Sequence, residues 1–154
     1  TRDAMLREAF EKVRDQMGPC GISCALCSLG NGTVAEMARK LKEYIGLYGL
    51  PSWAHMTPGG AELNFDHLMR ALDWMYTYAM CLGCEQGGGP PECPIRSCAK
   101  ERGFVLCSEC PDLDGCDKFD WLGESAGALK KNLKRSKGRS KRELIEEAIS
   151  KKEQ

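Results

Sequence analysis

Ten cysteines in 154 residues, gathered in three groups, constrain this chain more than any other feature of it. The groups are Cys20, Cys24 and Cys27; then Cys81, Cys84, Cys93 and Cys98; then Cys107, Cys110 and Cys116. Most neighbours within a group lie close in sequence. A disulfide framework gains more from closing long loops, because a longer loop removes more unfolded-state entropy. A metal instead needs several thiolates converging from tight turns. The grouping therefore points to metal, and away from a secreted disulfide scaffold.

A chain of this length buries roughly 70% of its unfolded surface, so metal would add to a hydrophobic core and not replace one. Lysine plus arginine equals aspartate plus glutamate at 22 each, which leaves no global field to draw the protein to nucleic acid or an anionic membrane. No apolar run approaches the roughly 20 residues of a membrane span, and residues 1–17 read as a charged amphipathic segment and not a signal peptide. The expectation is a soluble protein.

Helical periodicity dominates outside the cysteines. Leu6, Phe10, Val13 and Met17 predict a helix over 2–17, stopped by Gly18-Pro19. The capping box Thr33-x-x-Glu36 opens a second over 33–49, with Val34, Met37, Leu41, Ile45 and Tyr48 as its inner face. A third over 63–80 turns Phe65, Leu68, Leu72, Met75 and Ala79 inward, with Met69, Trp74, Tyr76, Tyr78 and Met80 as further core. Between 81 and 116 the periodicity disappears among Gly87-Gly88-Gly89-Pro90-Pro91, Pro94, Pro111 and Gly115; such a segment is ordered by its cross-links. Phe119, Trp121 and Leu122 anchor C-terminal helices over 119–151, the last opened by Ser140-x-x-Glu143. The fold expected is mainly α: one small helical domain, residues 1–154, with a loop-rich, metal-cross-linked cysteine insert.

Cys81-Leu82-Gly83-Cys84 and Cys107-Ser108-Glu109-Cys110 form C-x2-C...C-x2-C, a strong zinc-type signal. Each C-x2-C turn delivers two thiolates and frees backbone N–H groups to hydrogen-bond their sulfurs. The ten cysteines suffice for two zinc ions, and sequence leaves the partition open. One arrangement puts Cys81, Cys84, Cys93 and Cys98 around one ion, and the Cys20–Cys27 group with members of the Cys107–Cys116 group around another. His55 and His67 have no partner at ligand spacing and read as structural or surface residues. An iron–sulfur cluster is the alternative cofactor, although ferredoxin-type spacings are absent from the sequence. C-x3-C-x2-C at Cys20, Cys24 and Cys27 is also the spacing of radical S-adenosylmethionine enzymes. That reading fails on size, since the complete barrel of that fold family takes roughly 250 residues.

The order of the motifs resembles a prokaryotic family of small cysteine-rich proteins known as a domain of unknown function. The elements are C-G-x-x-C-x-x-C from Cys20 to Cys27, C-x-G-C from Cys81 to Cys84, C-x-I-R-x-C-A from Cys93 to Ala99, C-x-x-C from Cys107 to Cys110, and Cys116 before a helix. The resemblance implies a cytoplasmic, zinc-binding protein of bacteria or archaea, and it supplies no activity.

Other features carry less. Arg96, between Cys93 and Cys98, suits either neutralisation of a four-thiolate site or a surface ion pair. Lys130, Lys131, Lys134, Arg135, Lys137, Arg139, Lys141 and Arg142 form a basic run that would meet phosphates in a nucleic-acid binder, but no aromatic residues interleave for base stacking. Gly87-Gly88-Gly89-Pro90-Pro91 reads as a flexible tip. No catalytic constellation assembles from two histidines. The function expected is a metal-stabilised interaction or accessory module that docks on a protein partner in a larger complex. An iron–sulfur electron carrier and a nucleic-acid-binding zinc protein are the alternatives.

Overall fold

The computed structural model describes residues 2–78 and 81–154. Seven α-helices follow in order among them: α1 Arg2–Val13, α2 Thr33–Leu47, α3 Leu50–Trp53, α4 Phe65–Tyr78, α5 Pro94–Arg102, α6 Ser125–Arg135 and α7 Lys141–Glu153. Short 3-10 turns connect them, and the one β-type pairing among the described residues is an isolated bridge between Met17 and Ser23. The fold is mainly α, as the periodicity predicts. No helix among the described residues is long and apolar enough to cross a membrane. Ala79 and Met80, the expected end of the third helix, lie outside the described residues.

The first helix stops at Val13, four residues before the expected end. Met17 is buried all the same, because the chain turns back on itself there: the Gly18 amide donates to the Ile22 carbonyl at 3.0 Å and the Cys24 amide to the Gln16 carbonyl at 3.1 Å. This tight loop carries Cys20 and Cys24 into the interior. Asn31 then locks the path into α2, its Nδ2 donating to the Ala25 carbonyl while its Oδ1 accepts from the Thr33 amide and hydroxyl. Gly32 is consequently the N-cap of α2, and Thr33 lies inside the helix. The C-terminal capping box forms at the expected place, with the Glu143 amide donating to Ser140 Oγ at 3.1 Å at the start of α7.

The burial of α2 corrects the expected inner face. Ala35, Ala38 and Ile45 are buried, whereas Met37 (66% exposed), Leu41, Tyr44 and Tyr48 (64%) are exposed. Two stripes compete on this helix, and the alanine stripe wins because small side chains let α4 approach closely. Ala38 and Ile45 meet Leu72 there, flanked by Phe65 and Met69, and an ion pair between Lys42 and Asp73 borders the seam. On α4 itself Leu68, Met75, Trp74 and Tyr76 are exposed, so of the expected core side chains described on this helix only Phe65, Met69 and Leu72 pack inward.

The largest core cluster lies around the cysteines. Cys20, Ile95, Ala99, Cys107, Leu113, Phe119 and Leu133 pack together, and Phe119 is 1% exposed. Ile95 and Ala99 come from α5, a helix that the sequence reading left as loop. Its signals are local: Pro94 sits in the first turn and Gly103 ends it at φ 76°. Of the expected anchor of Phe119, Trp121 and Leu122, Phe119 and Leu122 pack on this cluster, whereas Trp121 is half exposed.

Candidate metal centre

All ten cysteines are free thiols; the fold sorts nine of them into two neighbourhoods and leaves Cys93 between these. Cys84 is the hub of the first. Its amide donates to Cys24 Sγ at 3.3 Å, and the two thiols share a hydrogen bond. That bond holds Cys24 down to about 7 while it pushes Cys84 well above the ordinary thiol range. Burial adds to the rise at Cys84, and so does negative charge on Cys24, Cys20 and Cys27. The thiol of Cys20, 8% exposed, is raised mainly by burial and further by Cys93 and Cys24.

Cys81 sits at the edge of this neighbourhood in a cradle of backbone amides. Gly83 and Gly89 point their N–H groups at its sulfur, at 3.4 and 3.2 Å. Gly83 adopts φ 98°, the positive value expected of the C-x-G-C turn. Gly88 comes so close that a Cβ there would stand 2.3 Å from Cys81 Sγ. Amide donors of this kind stabilise negative charge on sulfur and are the usual surroundings of metal-bound cysteine.

The glycine-proline segment is therefore a wall of the cradle and not a flexible tip. The Gly88 amide donates to the Gly83 carbonyl at 2.8 Å, and Arg96 grips the segment from the other side. The guanidinium of Arg96 donates to the carbonyls of Gly88 (2.8 Å), Pro90 (2.9 Å), Cys84 and Pro91. Both sequence readings of Arg96 thus give way to a third, a clamp on backbone carbonyls. A planar fork of five N–H donors suits several carbonyls converging from one loop.

Residues without any motif support the same neighbourhood. Gln16 receives the Glu85 amide at 2.9 Å and donates to the Leu82 carbonyl at 3.0 Å. Glu85 accepts the Met17 amide at 3.0 Å and pairs with Lys141 of α7 at 2.9 Å. These contacts join positions far apart in the chain, so no local pattern announces them.

The second neighbourhood comprises Cys98, Cys107, Cys110 and Cys116, which line one cavity of about 180 Å³. Cys98 projects from α5, Cys107 opens the next 3-10 turn, Cys110 directly follows it, and Cys116 joins the two 3-10 turns after that. The Cys107 amide is fastened to the Pro19 carbonyl at 2.8 Å, which ties this neighbourhood to the loop of the first. Burial pushes the Cys107 thiol up to about 12, helped by charge on Cys20, Cys110, Cys116 and Cys98. This grouping differs from the arrangement suggested by spacing: Cys84 joins the N-terminal cysteines, and Cys98 joins the C-terminal ones. Cys93 packs on the core beside Cys20, between the two.

Among the described residues no group of three or more His, Cys, Asp or Glu side chains is placed to hold a metal ion. The fold supplies proximity, soft donors and amide cradles. His55 and His67 are both exposed. In the basic run, Arg139 pairs with Glu147 at 2.7 Å, Arg142 with Glu146 at 3.0 Å, Lys141 with Glu85 and Lys134 with Asp114. Lys130 donates to the Cys116 carbonyl at 2.7 Å and lies over the Phe119 ring.

No curated protein and no solved structure matches the chain. The profile of one family matches residues 16–121, from the Gln16 clamp to the end of the turn bearing Phe119, and so takes in all ten cysteines. This chain belongs to the family described as "Protein of unknown function (DUF3795)".

Proposed function

We propose that the chain is a metal-binding protein in which structural zinc, seated on Cys24 and Cys84 and completed from Cys20, Cys27 and Cys81, fastens the loop after α1 to the cysteine-rich segment. The observation that carries this reading is the contact of Cys84 with Cys24, with the Cys20 and Cys27 thiols close enough to raise Cys84. The donor set fits: zinc takes four soft thiolates at about 2.3 Å, and proteins hold such sulfurs with backbone amides. A closed four-thiolate ion leaves no open position for substrate, so its role is to stabilise. Free thiols throughout accord with a reducing cytoplasm.

The stiffened module serves as an interaction or accessory part of a larger prokaryotic complex. Support for that comes from the exposed stripe of Met37, Leu41, Tyr44 and Tyr48 on α2. The 130–142 run favours nucleic acid less, because Lys134, Arg139, Lys141 and Arg142, half of its charges, are answered by carboxylates of the same chain. The test is zinc content of protein purified without oxygen, compared with Cys24→Ser and Cys84→Ser. Loss of one equivalent in both variants supports the reading, and a wild-type protein free of zinc ends it.

A further inference from the structure

Cys98, Cys107, Cys110 and Cys116 are drawn from α5 and two successive turns to the rim of a single cavity. Its walls are apolar, formed by Ile95, Leu113, Phe104 and Phe119. Four thiols gathered in an apolar pocket are an arrangement that hydrophobic packing alone does not require. Free cysteine also packs as a small apolar residue, so it is the convergence of four thiols beside one guanidinium that points to a ligand.

Three charged side chains, Arg102, Asp112 and Lys118, stand at the rim, and Arg102 is the one that touches a sulfur. Arg102 donates from Nη1 to Cys110 Sγ at 3.2 Å, pairs with Asp112 at 3.1 Å, and lies over the Phe104 ring at 5.1 Å. A guanidinium held against a sulfur offsets the negative charge that four thiolates around a divalent ion carry. Asp112 and Phe104 fix its plane, so it meets the sulfur already oriented.

We propose that Cys98, Cys107, Cys110 and Cys116 form a second metal centre, separate from the one at Cys24 and Cys84, with Arg102 as its charge partner. It takes a thiophilic metal in tetrathiolate coordination, either as a single zinc-like ion or as a sulfide-bridged iron cluster. Both are held by four cysteine thiolates. Since no three of these side chains are placed to hold a metal as they stand, a bound ion or cluster would draw the sulfurs inward. The proposal rests on the reading of the chain as a thiolate metal protein, but on different cysteines.

The test uses the full chain purified without oxygen, with zinc, iron and acid-labile sulfide measured per chain. Cys110→Ser and Cys116→Ser are chosen because both thiols are only half buried, and Cys24→Ser serves as the reference for the first centre. The expected result is a fall from about two metal centres to about one in each variant. Cys24→Ser and Cys110→Ser should remove different ones, with the helical spectrum retained. Reconstitution of stripped protein with zinc alone, or with ferrous iron plus sulfide, then identifies the occupant: whichever arm restores the Cys110-dependent centre supports the proposal. A metal content unchanged by both Cys110→Ser and Cys116→Ser overturns it. Loss of only the Cys24-dependent metal from the wild type would instead sink the zinc reading above and leave this centre standing.

Discussion

The amide of Cys84 donates to the sulfur of Cys24 at 3.3 Å across 60 positions of sequence. The C-x-G-C turn is thereby laid over the loop between α1 and α2. The two thiols share a hydrogen bond, so substitutions at them should not add. Cys24→Ser and Cys84→Ser should each remove the same zinc equivalent, and the double variant should be little worse than either. Denaturant midpoints measured with zinc supplied to all four proteins check this; additive losses would mean that the two cysteines act independently.

Chelation should act on the cysteine-rich segment first. Structural zinc in small modules contributes on the order of 10 kcal/mol to folding. Removing it should open residues 81–116 to proteolysis, while α2 and α4, which pack on each other through Ala38, Ile45 and Leu72, keep their amide protection. A chelated protein with an unchanged cleavage pattern over 81–116 would refute the structural role.

Arg96 should resist conservative replacement. Arg96→Lys keeps the charge but loses the planar fork that reaches Gly88, Pro90, Cys84 and Pro91. A loss of about 1–3 kcal/mol is expected from the unsatisfied carbonyls, together with faster hydrogen exchange at Gly88 and Gly89. If lysine is tolerated without either effect, the clamp contributes nothing.

Glu85 and Lys141 separate a backbone contact from an ion pair. Glu85→Ala removes the acceptor of the Met17 amide, at a cost of about 1–3 kcal/mol. Lys141→Ala removes only a partly exposed ion pair, worth about 1 kcal/mol or less. Urea midpoints should rank the two in that order.

The metal-free protein should have a stability maximum in pH. Cys24 ionises near 7 when folded but near 9 when unfolded, so the unfolded chain binds more protons between those values and stability rises with pH there. Cys107, raised to about 12, does the opposite: the folded chain keeps its proton after the unfolded chain has lost it, and stability falls from pH 9 upward. Thermal melts of stripped protein from pH 6 to 11 test this. A midpoint rising steadily to pH 11 would contradict the burial of Cys107.

The helices were legible where the apolar period is long, as in α1, α2 and α4. Which stripe faces inward was not, because α2 carries two of them and only the neighbour chooses. α5 was missed since its nine residues hold little periodicity, although Pro94 and Gly103 marked both ends.

By itself the sequence determined that this is a helical chain whose cysteines come in closely spaced turns, one of them with a glycine before its second cysteine. These are local properties, set by residue type and short spacing. Only the tertiary structure decided which turns meet: Cys84 with Cys24, Cys98 with Cys107, Cys110 and Cys116, and Arg96 with backbone carbonyls instead of sulfur. Each of these pairings depends on where packed helices and buried side chains bring distant segments together, and sequence spacing carries no record of that distance.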